Sequence, residues 1–238
     1  RHLLVCVDYD GTISPIVADP QAARPLPEAV QALQSLAALP QTTVVVVSGR
    51  ALENLRDVAK LPEDIHLVGS HGAEVDAPLE LDPAQQRLLE QCTTAAEELA
   101  ATVLGAHIEM KPGSIAIHVR RCEPKAGAEL IRAIVMGPGR YPGVLGRHGK
   151  EVIELSVAHA QKSDAVRALR QRFDASTVLF IGDDLTDESV FADLSGHDVG
   201  IKVGAGDSAA LWRVDEPMDV ALLLARLAQE RASAITEG

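Results

Sequence analysis

Two kinds of segment alternate along the two ends of this chain. Residues 3–7, 43–47, 65–68 and 177–181 are short, dominated by apolar side chains and rich in β-branched ones. Strands buried on both faces read this way, which predicts a parallel sheet. Residues 27–39, 51–59, 163–173 and 187–194 carry helical patterns between them. Pro27 suits a first helical position, where its missing N–H has no partner to lose. The alternation predicts an α/β fold with a doubly wound, Rossmann-like parallel sheet.

The middle of the chain has a different rhythm. Asp82-Pro83 opens a long helix to about residue 103. Residues 106–110 and 114–120 form a predicted hairpin around Lys111-Pro112-Gly113. A second helix runs from Pro124 to about 135, a turn-rich stretch covers 137–143, and strands follow near 144–147 and 151–155. The order helix-strand-strand-helix-strand-strand predicts a small α+β layer with a largely antiparallel sheet. It reads as an inserted domain, residues 77–157, between core segments 1–76 and 158–238.

Composition narrows the function classes. The chain has 238 residues, with 22 Lys plus Arg against 34 Asp plus Glu, a formal net charge of −12. A broad basic face for nucleic acid is therefore not expected, and aromatics at 3% leave little for stacking bases. No apolar run approaches the roughly 20 residues of a membrane span, so no membrane partner is expected. Cys6, Cys92 and Cys122 are odd in number and lack metal-ligand spacing, which fits reduced thiols in a cytoplasmic protein. The chain opens on Arg1 and enters an apolar run at once, as a piece of a longer protein with domains N-terminal to it would.

Two acidic motifs stand where strands run out. Asp8 and Asp10, two apart on a strand, are expected to point the same way, and Gly11 frees the backbone to turn. Paired carboxylates repel unless a cation or a proton lies between them, and a hard cation such as Mg²⁺ suits oxygen ligands. The second motif, Gly182-Asp183-Asp184-Leu185-Thr186-Asp187-Glu188, closes another strand. Helix capping accounts for Thr186, Asp187 and Glu188 but not for Asp183-Asp184. Two acidic strand ends in one sheet argue for a shared metal site, drawn from Asp8, Asp10, Asp183, Asp184 and Asp187.

Phosphate-facing groups accompany them. Ser48-Gly49-Arg50 closes the valine-rich strand ahead of a helix, offering a hydroxyl and a close backbone approach. A helix N-terminus disfavours the charge of Lys162, which an anion beside it would explain. Taken singly, Ser48 also reads as an ordinary N-cap and Lys162 as a surface lysine.

Together, Asp8-x-Asp10-Gly11-Thr12, Ser48, Lys162 and Gly182-Asp183-x-x-x-Asp187 resemble the haloacid dehalogenase (HAD) superfamily of phosphohydrolases. The closer resemblance is to the trehalose-6-phosphate phosphatase family. It rests on DYDGTISPI at 8–16, VVSGR at 46–50, GSHGAE at 69–74, EMKPGSIAIHVR at 109–120, GKEVIEL at 149–155 and GDDLTDE at 182–188. Ile13 replaces a usual Leu, and Ser163 stands where Gly often follows the lysine.

The resemblance implies a HAD-type core with a cap, Mg²⁺ as cofactor and a sugar phosphate as substrate. Asp8 would be the nucleophile and Asp10 the general acid and base. Ser48 and Lys162 would hold phosphoryl oxygens. The cation would take Asp8, the Asp10 carbonyl and Asp183. Asp187 would position Lys162 or a metal-bound water, and Asp184 the water. Glu109, Lys111, Lys150 and Glu154 match the family's glucose contacts. Ser114, His118 and Arg120 alternate onto a shared side of their strand. His71, Gly49 and Arg50 complete the expected substrate contacts. A phosphatase for another sugar phosphate, such as sucrose 6-phosphate, and a non-catalytic sugar-phosphate-binding regulatory domain remain open alternatives.

Overall fold

A computed structural model describes residues 1–149, 151–158 and 160–237. The chain divides into two compact units, Arg1–Pro78 with Ala160–Gly238, and Leu79–His159. The first unit opens with β1 (Leu3–Asp8), α1 (Pro27–Ala37), β2 (Thr42–Val47), α2 (Leu52–Ala59), β3 (His66–Gly69) and β4 (Glu74–Val75). The second holds α3 (Pro83–Ala100), β5 (His107–Lys111), β6 (Ser114–His118), α4 (Pro124–Met136), β7 (Leu145–Gly149) and β8 (Val152–Ser156). The first resumes with α5 (Lys162–Arg172), β9 (Thr177–Gly182), α6 (Glu188–Asp193), β10 (Val199–Val203), β11 (Trp212–Val214) and α7 (Pro217–Glu237).

The first unit's sheet has the order β11-β10-β9-β1-β2-β3-β4. Every pair is parallel except β3 with β4. Strand burial shows why β1 reads as a continuous apolar run. Val5 and Val7 pack with Leu33, Leu36, Val220 and Leu224 on the α1 and α7 side. Leu4 and Cys6 pack with Val166, Leu169 and Phe180 on the α5 side. Each fully buried aliphatic side chain contributes roughly 1.5–3 kcal/mol. From β1 the order runs to β2 and β3 on one side and to β9 and β10 on the other. That reversal is the switch point where open α/β sheets place ligands, at the carboxyl ends of their strands.

In the second unit, the sheet has order β5-β6-β8-β7 and all pairs are antiparallel. Ile115, Ile117, Ile153 and Leu155 pack with Cys92 and Ala96 of α3 and with Leu130 and Ile134 of α4. Asp82 caps α3 by accepting from the backbone N–H of Ala84 and Gln85, while the Gln85 side chain accepts from the Asp82 N–H. The opposite sheet face carries a register row of Glu109, Ala116, Glu154 and Arg147.

Some expected boundaries move. β1 extends through Asp8 and stops there, so Asp10 lies past the strand. β6 ends at His118, which removes Arg120 from the strand alternation expected of it. The helix expected from Asp187 starts at Glu188, after a 3-10 turn over Leu185–Asp187. β4, β10, β11 and α7 add to the elements expected from the sequence pattern.

Candidate active site

Asp8 is the last residue of β1, and its neighbour in register on β2 is Val47. The acidic pair of the second motif follows β9 directly. Adjacent parallel strands therefore deliver both motifs to one end of the sheet. Asp8, Asp183 and Asp187 each bring a carboxylate oxygen within 4.8 Å of the others. Glycines make room for two of them: a Cβ on Gly11 would collide with the Asp183 carboxylate, and one on Gly182 with that of Asp187.

Lys162 enters this cluster from the first turn of α5. Its Nζ donates to Asp8 Oδ1 at 2.5 Å and to Asp187 Oδ1 at 2.7 Å, and its side chain is 2% exposed. The anion expected beside this lysine is thus supplied by the chain's own carboxylates. Burial disfavours the ammonium charge, but Asp8 and Asp187 outweigh it and hold Lys162 above its ordinary value. Asp8 is held well above the usual carboxylate range. Burial raises it most, Lys162 pulls it back, and the charges of Asp187 and Asp183 add to the rise. Asp183 is raised by burial first, then by Asp187 and Asp184, against a hydrogen bond with Asp8. Three carboxyl groups thus crowd around one ammonium, and burial together with that crowding raises Asp8 and Asp183.

Asp10 does not share Asp8's surroundings. Because β1 ends at Asp8, the chain bends, and a bridge joins Asp10 to Ser14. The Asp10 carboxylate accepts from Arg50 through both oxygens, from Nε at 2.7 Å and Nη2 at 2.6 Å. Arg50 Nη1 donates to Asn54 Oδ1 at 3.0 Å, and the guanidinium lies 5.6 Å from the Tyr9 ring centroid. Such a bidentate fork is a strong, directional pair. Asp184 turns to its own loop, where its side chain accepts from the Leu185 N–H at 2.7 Å.

Ser48 is buried, and its hydroxyl accepts from the Arg50 N–H at 3.1 Å. Its backbone N–H donates to Val68 O, so β3 holds the turn. A Cβ on Gly49 would come within 2.5 Å of His71 Cε1, so the ring would have to shift to admit one.

On the polar sheet face of the second unit, Glu154 accepts from Lys111 Nζ at 2.8 Å and from Ser114 Oγ at 3.0 Å. His118 Nε2 and Glu109 Oε2 are 2.9 Å apart. Arg120 is exposed and pairs with Glu151 at 3.3 Å. Lys150 lies outside the described residues.

The trehalose-phosphatase family model matches residues 6–219. The chain belongs to the trehalose-phosphatase family. A trehalose-phosphate phosphatase of Mycobacterium marinum is 35% identical over 95% of this chain and 61% of its own length. An uncharacterized glycosyl hydrolase of Mycobacterium tuberculosis is 34% identical over 99% of this chain, which covers 19% of that protein. The chain therefore spans less than two thirds of these relatives. Among solved structures, trehalose-6-phosphate phosphatase of Aspergillus fumigatus aligns with a TM-score of 0.69 at 29% identity. The alignment covers 97% of this chain and 93% of that one. The fold is thus the HAD type.

In this trehalose-phosphatase family member the carboxylate cluster fits a hard divalent cation. Its donors are all oxygens, glycines leave it space, and among the described residues Lys162 is the ammonium paired with the Asp8 and Asp187 members of its three carboxyl groups. Thr12, noted in the sequence only as part of its motif, and Lys202, unmarked there, also belong to the site. Thr12 Oγ1 donates to Asp183 Oδ1 at 3.3 Å. Buried Lys202 donates to the Asp183 carbonyl. The signal for Lys202 is a charged residue inside the apolar run Val199-Gly200-Ile201-Lys202-Val203. Among the described residues, no helix is long and apolar enough to cross a membrane.

Proposed function

We propose that this chain is the phosphatase unit of its protein, hydrolysing trehalose 6-phosphate to trehalose and inorganic phosphate with Mg²⁺ as cofactor. The first unit is read as the hydrolase core and the second as the cap that selects the sugar. The reading is carried by one observation above the others: Asp8 ends β1 against Lys162, Asp183 and Asp187, in a chain of the trehalose-phosphatase family.

An Asp8 carboxylate oxygen attacks phosphorus, the bond from phosphorus to the sugar oxygen breaks, and an aspartyl-phosphate forms. Asp10 gives its proton to the departing sugar oxygen. Asp10 then takes a proton from water, which attacks the aspartyl-phosphate and restores Asp8. Both Asp10 oxygens accept from Arg50 in the resting chain, so that pair must open before Asp10 can act. Lys162 neutralises phosphoryl charge while Asp187 keeps its ammonium in place. The Ser48 hydroxyl is read as a second phosphoryl contact, with Gly49, Arg50 and His71 beside it.

Asp8, Asp183 and the Asp10 carbonyl would hold Mg²⁺, with Asp184 and Asp187 acting through water. When bound, the cation neutralises charge and orients the phosphoryl group. Glu109, Lys111 and Glu154 supply acceptors and donors for sugar hydroxyls, with Ser114, His118, Arg120 and Lys150 as further candidate contacts. Cys6, Cys92 and Cys122 are free thiols, which fits a reducing compartment such as the cytoplasm.

Phosphate release from trehalose 6-phosphate, glucose 6-phosphate and sucrose 6-phosphate, each with and without a chelator, tests the proposal. Preference for trehalose 6-phosphate and loss with the chelator are expected. Equal rates on all three would refute the sugar assignment, and release unaffected by the chelator would refute the cation.

A further inference from the structure

Glu74 belongs to the Gly-Ser-His-Gly-Ala-Glu motif and has no part in the chemistry above, yet it is a carboxylate residue only 2% exposed. Its Oε2 accepts from the backbone N–H of Leu52 at 2.9 Å and from Ser70 Oγ at 2.6 Å. The first bond caps α2, whose own N-cap residue, Ala51, offers no side-chain acceptor. The second holds a turn in which Ser70, His71 and Gly72 have φ of +49°, +55° and +110°. Non-glycine residues adopt the left-handed region rarely, and two in succession persist only when surrounding contacts dictate them.

Those contacts run toward both phosphate-facing elements. On one side the turn is zipped to Ser48-Gly49-Arg50: Ser70 N–H donates to Arg50 O at 2.7 Å and His71 N–H to Ser48 O at 3.0 Å. Gly69 presses on the start of α2, where a Cβ would come within 2.5 Å of Leu52 N. On the other side a Cβ on Gly72 would come within 2.7 Å of Gln161 O, the residue before Lys162. The turn is a spacer one backbone thick between the Ser48 turn and the N-terminus of the helix that carries Lys162.

We propose that Glu74 is a positioning residue, bracing this turn so that it sets the separation between Ser48 and Lys162. The role rests on the reading of those two residues as phosphoryl contacts. Displacements of about 1 Å in such groups can lower rates about a hundredfold.

The test uses the full chain and its Glu74→Ala, Glu74→Gln and Ser70→Ala variants. Affinity for inorganic phosphate is measured by calorimetry, and kcat and KM with trehalose 6-phosphate and p-nitrophenyl phosphate. Glu74→Ala is expected to weaken phosphate binding about tenfold or more and to lower kcat/KM on both esters by a common factor. Glu74→Gln is expected to recover most of this, since one amide oxygen can accept both hydrogen bonds. Ser70→Ala removes one of the two and is expected to fall between them. Its milder change keeps the test open should Glu74→Ala not fold.

A folded Glu74→Ala or Ser70→Ala protein with wild-type phosphate affinity and a lowered Tm alone would overturn the proposal. So would Glu74→Gln falling as far as Glu74→Ala. Failure of the phosphatase reading itself is separate: the wild-type chain would then release no phosphate from either ester, while phosphate affinity would still report on the brace.

Discussion

The carboxylate cluster of the first unit and two exposed pairs of the second handle charge in opposite ways, with the pair of Lys111 and Glu154 of the second lying between them at 21% and 16% exposed. In the first, Asp8, Lys162 and Asp187 are each no more than 6% exposed at their side chains and hold one another at 2.5 and 2.7 Å. In the second, the pair of His118 with Glu109 is 39% and 47% exposed and that of Arg120 with Glu151 is 65% and 50% exposed. Buried charges without full compensation are expensive, whereas exposed pairs contribute little. The first arrangement is therefore costly to hold without compensating charge, while the exposed pairs of the second contribute little to stability. The proposed reading puts the reacting groups in the first unit and the selecting groups in the second.

Substitutions should separate the two along that line. Asp8→Asn is expected to reduce turnover of every phosphate ester by about 10⁴-fold or more, as removal of a nucleophile does. Steady-state phosphate release checks it, and substantial remaining activity would exclude Asp8 as the nucleophile. Glu154→Ala is expected to lower kcat/KM for trehalose 6-phosphate by about ten- to a hundredfold, with p-nitrophenyl phosphate nearly unaffected. Equal losses on the two esters would remove Glu154 from the sugar site.

A third comparison uses pH. Asp8 and Asp183 have folded values above the ordinary carboxylate value of 3.8. Above that value the unfolded chain has released protons that the folded chain still binds, so stability falls as pH rises toward the raised folded values. On the proposed reading a divalent cation would bind the ionised folded site and offset that loss. The increase in Tm on adding Mg²⁺ is expected to be larger at pH 7.5 than at pH 5, and an equal increase at both would contradict the linkage. Lys162 has the opposite sign: its raised value adds stability that is complete below its ordinary range and lost only at strongly alkaline pH. The smallest effect is expected from Arg120→Ala, whose exposed pair is worth about 1 kcal/mol or less. A small change in Tm and near-normal kcat are the expected results, and a large fall in kcat would assign Arg120 a direct role.

Much of the fold was legible because parallel strands buried on both faces have little alternation to obscure them. The sequence pattern marked β1, β2, β3 and β9, and antiparallel pairing followed from the turn at Lys111-Pro112-Gly113. β4 and β11, of two and three residues, were too short to show a period. β10 was masked by Gly200 and Lys202, and Lys202 is there to reach the Asp183 carbonyl. α7 carries helical spacing at Val220, Ala221, Leu224 and Ala228, positions that become meaningful once α1 is known to pack against it.

In the site, Asp8, Asp183, Asp187 and Lys162 could be anticipated because each stands at an element end on one side of the sheet. The alternation argument failed for Asp10, since it needs a strand and β1 ends two residues earlier. Its partner Arg50 is a long-range choice that no local pattern encodes. Glu74 was invisible as a brace for the same reason: its partner Leu52 lies 22 residues away.

The most direct measurement traps the covalent step. The chain is mixed with trehalose 6-phosphate and Mg²⁺, quenched in acid, reduced with borohydride and digested for mass spectrometry. Reduction of an aspartyl-phosphate yields homoserine, and conversion at Asp8 alone is the expected result. Phosphate release that continues with Asp8 unmodified would contradict the assignment.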